Sequence, residues 1–255
     1  MRHLDLFSGI GGFALAAQWA GIETVAFCEI EEFPRKVLAK NFPGVPIHHD
    51  IRDLDGGEYA GIDLITGGYP CQPFSVAGNR RGSRDPRHLW PEMLRVIKQA
   101  RPAWVVAENV KGHVTLGLDT VLDDLESEGY TAGATLLPAC AIGAVHQRER
   151  VFVLANASSP GHDTGAVCRC TSPSNDLRRT EGEKENRQHE RRGSIREILD
   201  RGGCEVGTWG AKPPAIRVDD GLPNRVDRIR GLGNAIVPQV AYEILRCLRS
   251  INDPV

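Results

Sequence analysis

The junction between the first predicted strand and the first predicted helix reads Asp5-Leu6-Phe7-Ser8-Gly9-Ile10-Gly11-Gly12-Phe13-Ala14. Its glycines allow the backbone to approach a ligand closely at a helix N-terminus. The spacing Gly9-x-Gly11-x-x-Ala14 satisfies the loose dinucleotide fingerprint, and Glu29 follows at the end of the second predicted strand, where a carboxylate can hold a ribose diol. The pattern indicates a nucleotide-binding α/β fold and is shared by NAD, FAD and S-adenosylmethionine enzymes.

Short apolar runs alternate with helical patterns over residues 1–155, which predicts βαβ units and a mainly parallel sheet with helices on both faces. Strands are predicted at 4–7, 24–28, 62–66, 103–107 and 151–155, with weaker signals at 46–48 and 131–138. Helices are predicted at 12–20, 31–40, 91–100 and 120–128, and again at 222–231 and 237–248. From residue 156 to about 220 apolar residues thin out, which indicates a small loop-rich insert with too little core to fold alone; a disordered linker is the alternative.

The composition is that of an ordinary globular protein, with 255 residues, 41% apolar and 25% charged. Because the net charge is only −2, any contact with nucleic acid must come from local basic patches. No apolar run approaches the ~20 residues of a membrane span, so no membrane partner is expected. Seven cysteines without framework spacing suit a reducing cytosol. The spacing of His162, Cys168, Cys170 and Cys204 matches no common zinc site, so no metal is expected.

One cysteine stands out, in the stretch Tyr69-Pro70-Cys71-Gln72-Pro73-Phe74-Ser75 that follows the strand predicted at 62–66. Ligands of open α/β sheets bind at the carboxyl ends of such strands, so this thiol is displayed where chemistry is done. A buried structural cysteine is the alternative. Glu108 follows the strand predicted at 103–107 and falls in the same predicted crevice, where burial can raise its pKa enough for proton donation. Its alternative role is to cap a loop amide.

Two groups of arginines indicate anion binding. Arg148 and Arg150 occupy alternate positions near the start of a strand, so we expect them to point to one side and fork onto one anion or carbonyl group. The loop after Cys71 is cationic and suits closure over a phosphate backbone. A solvated surface charge run is the alternative for both groups. The cationic loop contains Arg80, Arg81, Arg84 and Arg87.

Taken together and in this order, the motifs resemble the DNA (cytosine-5)-methyltransferase family. The matching stretches are 5–12, 70–75, Glu108-Asn109-Val110, Arg148-x-Arg150 and Gly233-Asn234-Ala235-Ile236-Val237-Pro238-Gln239. The resemblance spans the chain apart from the insert and is to compact phage- or prophage-type members. It implies a Rossmann-like S-adenosylmethionine-dependent fold: residues 1–155 as the catalytic and donor-binding domain, 156–220 as a reduced target-recognition region, and 221–255 as a segment returning to the catalytic domain.

The resemblance also implies roles for individual residues. Cys71 would attack C6 of a flipped-out cytosine, Glu108 would interact at N3, and Arg150 would hold O2 with Arg148 nearby. C5 would then take a methyl group from S-adenosylmethionine. The implied donor-site residues are Phe7, Gly9, Gly11, Glu29, Asp50, Ile51, Pro70 and Asn234. The expected DNA contacts are Arg80, Arg81, Arg84, Arg87, Arg191 and Arg192.

The same resemblance implies double-stranded DNA as the partner of a monomer that acts in the bacterial cytosol or a phage-infected cell. A cognate restriction endonuclease encoded nearby is a candidate partner. His146 departs from the family pattern, which usually has Gln two residues before the first arginine of the pair. The short insert suggests a short or relaxed target sequence. Two alternatives stay open: a tRNA cytosine-5 methyltransferase, and a catalytically silent DNA-binding protein of the same fold.

Overall fold

The computed structural model describes residues 1–70, 89–115, 117–144, 146–157 and 225–252. Within these ranges the strands are β1 (Arg2–Leu6), β2 (Glu23–Cys28), β3 (Ile47–His48), β4 (Leu64–Gly67), β5 (Trp104–Val110), β6 (Tyr130–Leu137) and β7 (Arg150–Ala157). The α-helices are α1 (Gly12–Trp19), α2 (Glu32–Asn41), α3 (Trp90–Ala100), α4 (Leu118–Ser127), α5 (Arg225–Asn234) and α6 (Pro238–Asn252). Apart from the last residues of β7, the insert predicted at 156–220 lies outside the described residues.

The strands form one sheet in the order β3-β2-β1-β4-β5-β7-β6. Neighbouring strands are parallel except that β7 runs antiparallel to both β5 and β6, which confirms the predicted mainly parallel sheet. The strand order reverses between β1 and β4, and ligands of open α/β sheets bind beside such a switch point. Because β7 is antiparallel, its first residue, Arg150, pairs with Val110 at the end of β5 and lies at the same edge.

Helices cover both faces of the sheet, because successive residues of a strand point to opposite sides. In β4, Leu64 belongs to a buried cluster with α1 and α6, whereas Ile65 belongs to one with α3 and α4. Both side chains are fully buried. The amphipathic faces of four helices thus enclose the central strands, and the predicted helices on both faces are confirmed.

The C-terminal part of the chain packs closely on the first helix. A Cβ on Gly12, the first residue of α1, would lie 2.4 Å from Ile236 Cγ2. Glycine at this position therefore leaves room for the Ile236 side chain. Ala241 and Leu245 of α6 share a buried cluster with Ala17 of α1. The domain limits at 155 and 220 stay a prediction.

Several boundaries differ from those predicted. β5 continues through Val110 instead of ending at 107, because Glu108 and Asn109 pair with Phe152 and Val151 of β7. The weak signals at 46–48 and 131–138 correspond to β3 and β6. Among the described helices, none has the length and apolar character needed to cross a membrane.

Candidate active site

A cavity of about 920 Å³ opens at the carboxyl edge of the sheet. Of the predicted catalytic residues, Glu108 and Arg150 line it, whereas Arg148 does not. Gly11 faces α2, since a Cβ there would lie 3.0 Å from Leu38 Cδ2. The structure brings together seven of the predicted donor-site residues as cavity lining, namely Phe7, Gly9, Glu29, Asp50, Ile51, Pro70 and Asn234.

The glycine loop, residues 7–11, turns sharply between β1 and α1. Phe7, Gly9 and Gly11 have φ values of 52°, 52° and 88°, a left-handed conformation that is unusual for a non-glycine residue such as Phe7. Ser8 holds the turn by donating its hydroxyl to Asp5 O at 2.6 Å and its amide to Cys28 O at 3.1 Å. The position of a Cβ on Gly9 has no atom within 4 Å among its described surroundings. The loop therefore presents open backbone to the cavity.

Glu29 is held rigidly where β2 meets the cavity. Its side chain accepts hydrogen bonds from the amides of Gly9 and Glu31, each at 2.7 Å. Burial raises the pKa of Glu29, and the two amides partly offset that rise. Each carboxylate oxygen retains a second lone pair, so the group can still accept hydrogen bonds from a ligand.

Two ion pairs lie at the rim of the cavity. Arg52 pairs with Asp50 at 2.5 Å, and its hydrogen bond lowers the pKa of the Asp50 carboxyl. Arg230 of α5 pairs with Glu31 at 2.5 Å. The resemblance implied that residues 221–255 return to the catalytic domain, but it did not single out Arg230, whose ion pair with Glu31 joins residues far apart in the sequence.

Glu108 and Arg150 form a close, largely buried pair. Arg150 Nε lies 2.9 Å from Glu108 Oε1, and the two side chains are 23% and 14% exposed, respectively. Burial raises the pKa of Glu108, while the charges of Arg150 and Arg148 lower it in part. A Cβ on Gly68 would lie 3.3 Å from Glu108 Oε2, so the glycine leaves room for the carboxylate. The site thus holds a carboxyl group with an increased tendency to carry a proton, beside a fixed cation.

Arg148 has partners different from those of Arg150, so the expected fork onto one group is wrong. The expectation assumed an extended strand, in which the side chains of residues 148 and 150 point to the same side. Arg148 instead precedes β7 and has a φ of 30°, so that alternation of side-chain directions is broken. Its Nη2 donates to the carbonyl oxygens of Gly233 and Ala235, at 2.8 and 2.6 Å. Its buried Nε has no hydrogen-bond partner among the described residues. Arg148 therefore ties the start of β7 to the backbone on either side of Asn234.

A further group of residues at this edge was missed by sequence analysis. Asn109 donates its side-chain amide to Tyr69 O at 3.1 Å, and the Tyr69 hydroxyl shares a 2.7 Å hydrogen bond with His113 Nε2. The rings of Tyr69 and Trp90 lie 5.1 Å apart. Nothing in the spacing of these residues indicates that they meet.

Several predicted residues fall outside the described ranges: Cys71, Arg80, Arg81, Arg84, Arg87, Arg191 and Arg192. His146, the departure from the family pattern, is exposed. In the parts of the chain that the structure describes, no three His, Cys, Asp or Glu side chains are grouped as metal ligands.

Comparison with known proteins gives a consistent set of matches. The family model described as C-5 cytosine-specific DNA methylase matches residues 1–204. The Type II methyltransferase M.HgiCII of Herpetosiphon aurantiacus is 36% identical over 159 residues, which cover 60% of this chain and 36% of that protein. The Type II methyltransferase M.FnuDI of Fusobacterium nucleatum is 38% identical over 157 residues, covering 60% and 46%. The chain thus spans less than half the length of either relative.

Solved structures show the same likeness. The Dnmt2 methyltransferase of S. pombe superposes with a TM-score of 0.55 at 26% identity, covering 64% of this chain and 52% of that one. A putative DNA modification methyltransferase encoded within a prophage (E. coli) gives a TM-score of 0.52 at 27% identity, covering 62% and 47%.

Proposed function

Because this chain belongs to the C-5 cytosine-specific DNA methylase family, we propose that it transfers a methyl group from S-adenosylmethionine to C5 of cytosine in double-stranded DNA. The resemblance drawn from the motifs is confirmed by the family match. The observation that carries the proposal is the pair formed by Glu108 and Arg150 at 2.9 Å. It lines the same cavity as Gly9 and Glu29.

The pair matches the edge of a cytosine ring. N3 and O2 of cytosine are neighbouring hydrogen-bond acceptors, so they require two donors side by side. Arg150 supplies one donor at O2, and Glu108 supplies the other at N3 when it carries a proton. The raised pKa of Glu108, caused by burial, favours that protonated form.

Covalent catalysis overcomes the poor nucleophilicity of C5. The Cys71 thiolate adds to C6, and the electron pair displaced from the C5–C6 bond is delocalised toward N3, where Glu108 transfers its proton. The resulting enamine makes C5 nucleophilic. Methyl transfer to C5 would release S-adenosylhomocysteine. A base then removes the C5 proton, the C5–C6 double bond re-forms, Cys71 leaves as thiolate and N3 returns its proton to Glu108. Arg150 keeps O2 in place throughout.

The donor side of the cavity suits S-adenosylmethionine, which when bound supplies an electrophilic methyl group. The Glu29 carboxylate is oriented by two amides and has lone pairs to accept from ribose hydroxyls. Asp50 is an acceptor at the rim, suited to an adenine amino group. The open backbone of Gly9 allows close approach of the methionyl part. Arg148 holds the segment that carries Asn234 against this pocket.

The target base must leave the duplex to reach the cavity. C5 and C6 of a stacked cytosine are inaccessible to a side chain, so we propose that the base is flipped out, at a cost of a few kcal/mol that contacts in the pocket recover. The arginines after Cys71, and Arg191 and Arg192 of the insert, are proposed to bind phosphates.

Plasmid DNA from a methylation-free host that expresses the protein tests the proposal. Methylation-sensitive sequencing should show 5-methylcytosine in one short motif, and the mark should vanish in Cys71→Ala. Cys140→Ala, which removes an exposed thiol elsewhere in the chain, is the matched control and should keep the mark. A duplex containing 5-fluorocytosine should trap a covalent complex with the wild type alone.

Absence of the mark with the wild-type protein would contradict the proposal. Transfer of a labelled methyl group to tRNA by the same preparation would then favour the tRNA methyltransferase alternative. Binding of DNA without any transfer would favour the catalytically silent alternative.

A further inference from the structure

We propose that Tyr69 and His113 act as a positioning pair that sets the nucleophile Cys71 relative to Glu108. The inference rests on the proposed function, since it assigns a role within that reaction. Neither residue touches the reacting atoms in this proposal; both act through the chain segments that they join.

The two side chains share a buried hydrogen bond. The Tyr69 hydroxyl lies 2.7 Å from His113 Nε2, and the rings meet edge to face at 5.5 Å. Tyr69 is 3% exposed and His113 is 4% exposed. A buried hydroxyl or imidazole is costly unless it is hydrogen-bonded, so this bond holds both rings in one orientation.

The pair connects the two chain segments that carry the proposed catalytic groups. Tyr69 lies two residues before Cys71 in the sequence. His113 lies in the short 3₁₀ turn Lys111–Thr115, directly after β5. Asn109, the neighbour of Glu108, adds a second tie by donating to Tyr69 O at 3.1 Å. Tyr69 is therefore attached to the Glu108 segment through both its backbone and the tip of its side chain.

Trp90 adds a further contact to Tyr69. Its ring centroid lies 5.1 Å from that of Tyr69, and its indole nitrogen donates to Asp124 Oδ2 at 2.8 Å. Because Tyr69 and Trp90 flank residues 70–89, their contact brings the two ends of that stretch together.

The position of His113 is controlled by a glycine. A Cβ on Gly117 would lie 3.0 Å from His113 Cε1, so the ring occupies space that a side chain would fill.

Reacting groups must be held to within a fraction of an ångström, and a misplacement of about 1 Å can cost about 100-fold in rate. A buried, hydrogen-bonded tie two residues from the nucleophile is suited to that task.

The experiment measures single-turnover methylation of a DNA substrate at saturating donor, together with the donor Kd and the melting temperature. Tyr69→Phe removes only the hydroxyl, and His113→Leu removes its partner. Each of these two variants should lower the single-turnover rate about tenfold, which corresponds to the free energy that one hydrogen bond contributes. The donor Kd should stay within about twofold of the wild-type value. The double variant should be about as slow as either single variant, and His113→Gln, which can still bond the hydroxyl, should recover most of the rate.

Tyr130→Phe is the matched control. It also removes a buried hydroxyl, which donates to Pro102 O at 2.9 Å, but β6 begins at the opposite end of the sheet from Glu108. It should lower the melting temperature as Tyr69→Phe does and leave the rate unchanged.

Wild-type rates in Tyr69→Phe and His113→Leu would overturn the inference, as would equal rate losses in Tyr130→Phe. Should His113→Leu fail to fold, the isosteric Tyr69→Phe alone decides between these results. A wild-type protein that does not methylate DNA in the same assay would instead reject the proposed function.

Discussion

The buried carboxyl of Asp5 should make the stability of this protein depend on pH. Asp5 lies in β1 beneath the glycine loop and is fully buried. It accepts a 2.8 Å hydrogen bond from the Thr66 hydroxyl, while its Oδ2 has no hydrogen-bond partner in the described part of the chain. Burial, the main cause, raises the pKa of Asp5 from 3.8 to about 8. The informative change is Asp5→Asn, which keeps the shape and removes the ionisation.

The sign and size of the effect follow from proton linkage. Between pH 3.8 and about 8 the folded protein carries one more proton on Asp5 than the unfolded chain does. The free energy of unfolding therefore falls as the pH rises, by about 1.4 kcal/mol per pH unit. From pH 5.5 to 7.5 wild type should lose about 3 kcal/mol relative to Asp5→Asn by this route. Burial lowers the pKa of His3 to about 3; its opposite effect is common to both proteins and cancels in the difference.

Urea unfolding at pH 5.5, 6.5 and 7.5 measures the difference directly. Wild type, Asp5→Asn and Asp53→Asn are compared, the last being a control that removes an exposed carboxylate. The stability of Asp5→Asn relative to wild type should increase steadily with pH. A difference that stays constant to within about 0.5 kcal/mol over this range would refute the reasoning.

Three further changes test the site. Glu108→Gln should lower the single-turnover methylation rate by about 100-fold or more, with the donor Kd unchanged in equilibrium dialysis. Because burial raises the pKa of Glu108, the wild-type rate should fall as the pH rises through that pKa. The residual rate of the variant should not show this fall. Glu29→Gln should raise the donor Kd about tenfold. The side-chain NH2 of Gln would face the backbone N–H of Gly9 or Glu31, which now donates to the carboxylate, so two donors would oppose each other. An unchanged Kd in the same dialysis would count against the ribose assignment. Gly12→Ala should cost about 1–3 kcal/mol in urea unfolding, because its Cβ would lie 2.4 Å from Ile236 Cγ2. Gly112→Ala should cost far less, because no atom of the described residues lies within 4 Å of its Cβ.

The sequence by itself determined the elements and the edge of the sheet at which the site lies. Alternating apolar runs and helical patterns are local properties, so strands such as β4 and β5 could be predicted from a few consecutive residues. The glycines at 9 and 11 predicted a loop that a ligand can approach closely, and Gly9 lines the cavity whereas Gly11 does not. Placing Glu108 at the end of a parallel strand sufficed to predict that it lies in the ligand crevice, and it lines the cavity that Glu29 also lines.

Only the tertiary structure decided which side chains meet within that crevice. The antiparallel course of β7 brings Arg150 onto Glu108, and a left-handed backbone sends Arg148 to Gly233 and Ala235. Tyr69 and His113 are 44 residues apart in the sequence and meet through the packing of two strand ends. The antiparallel direction of β7, the strand register and the side-chain partners are set by long-range packing of the whole sheet. No local pattern in the sequence contains that information.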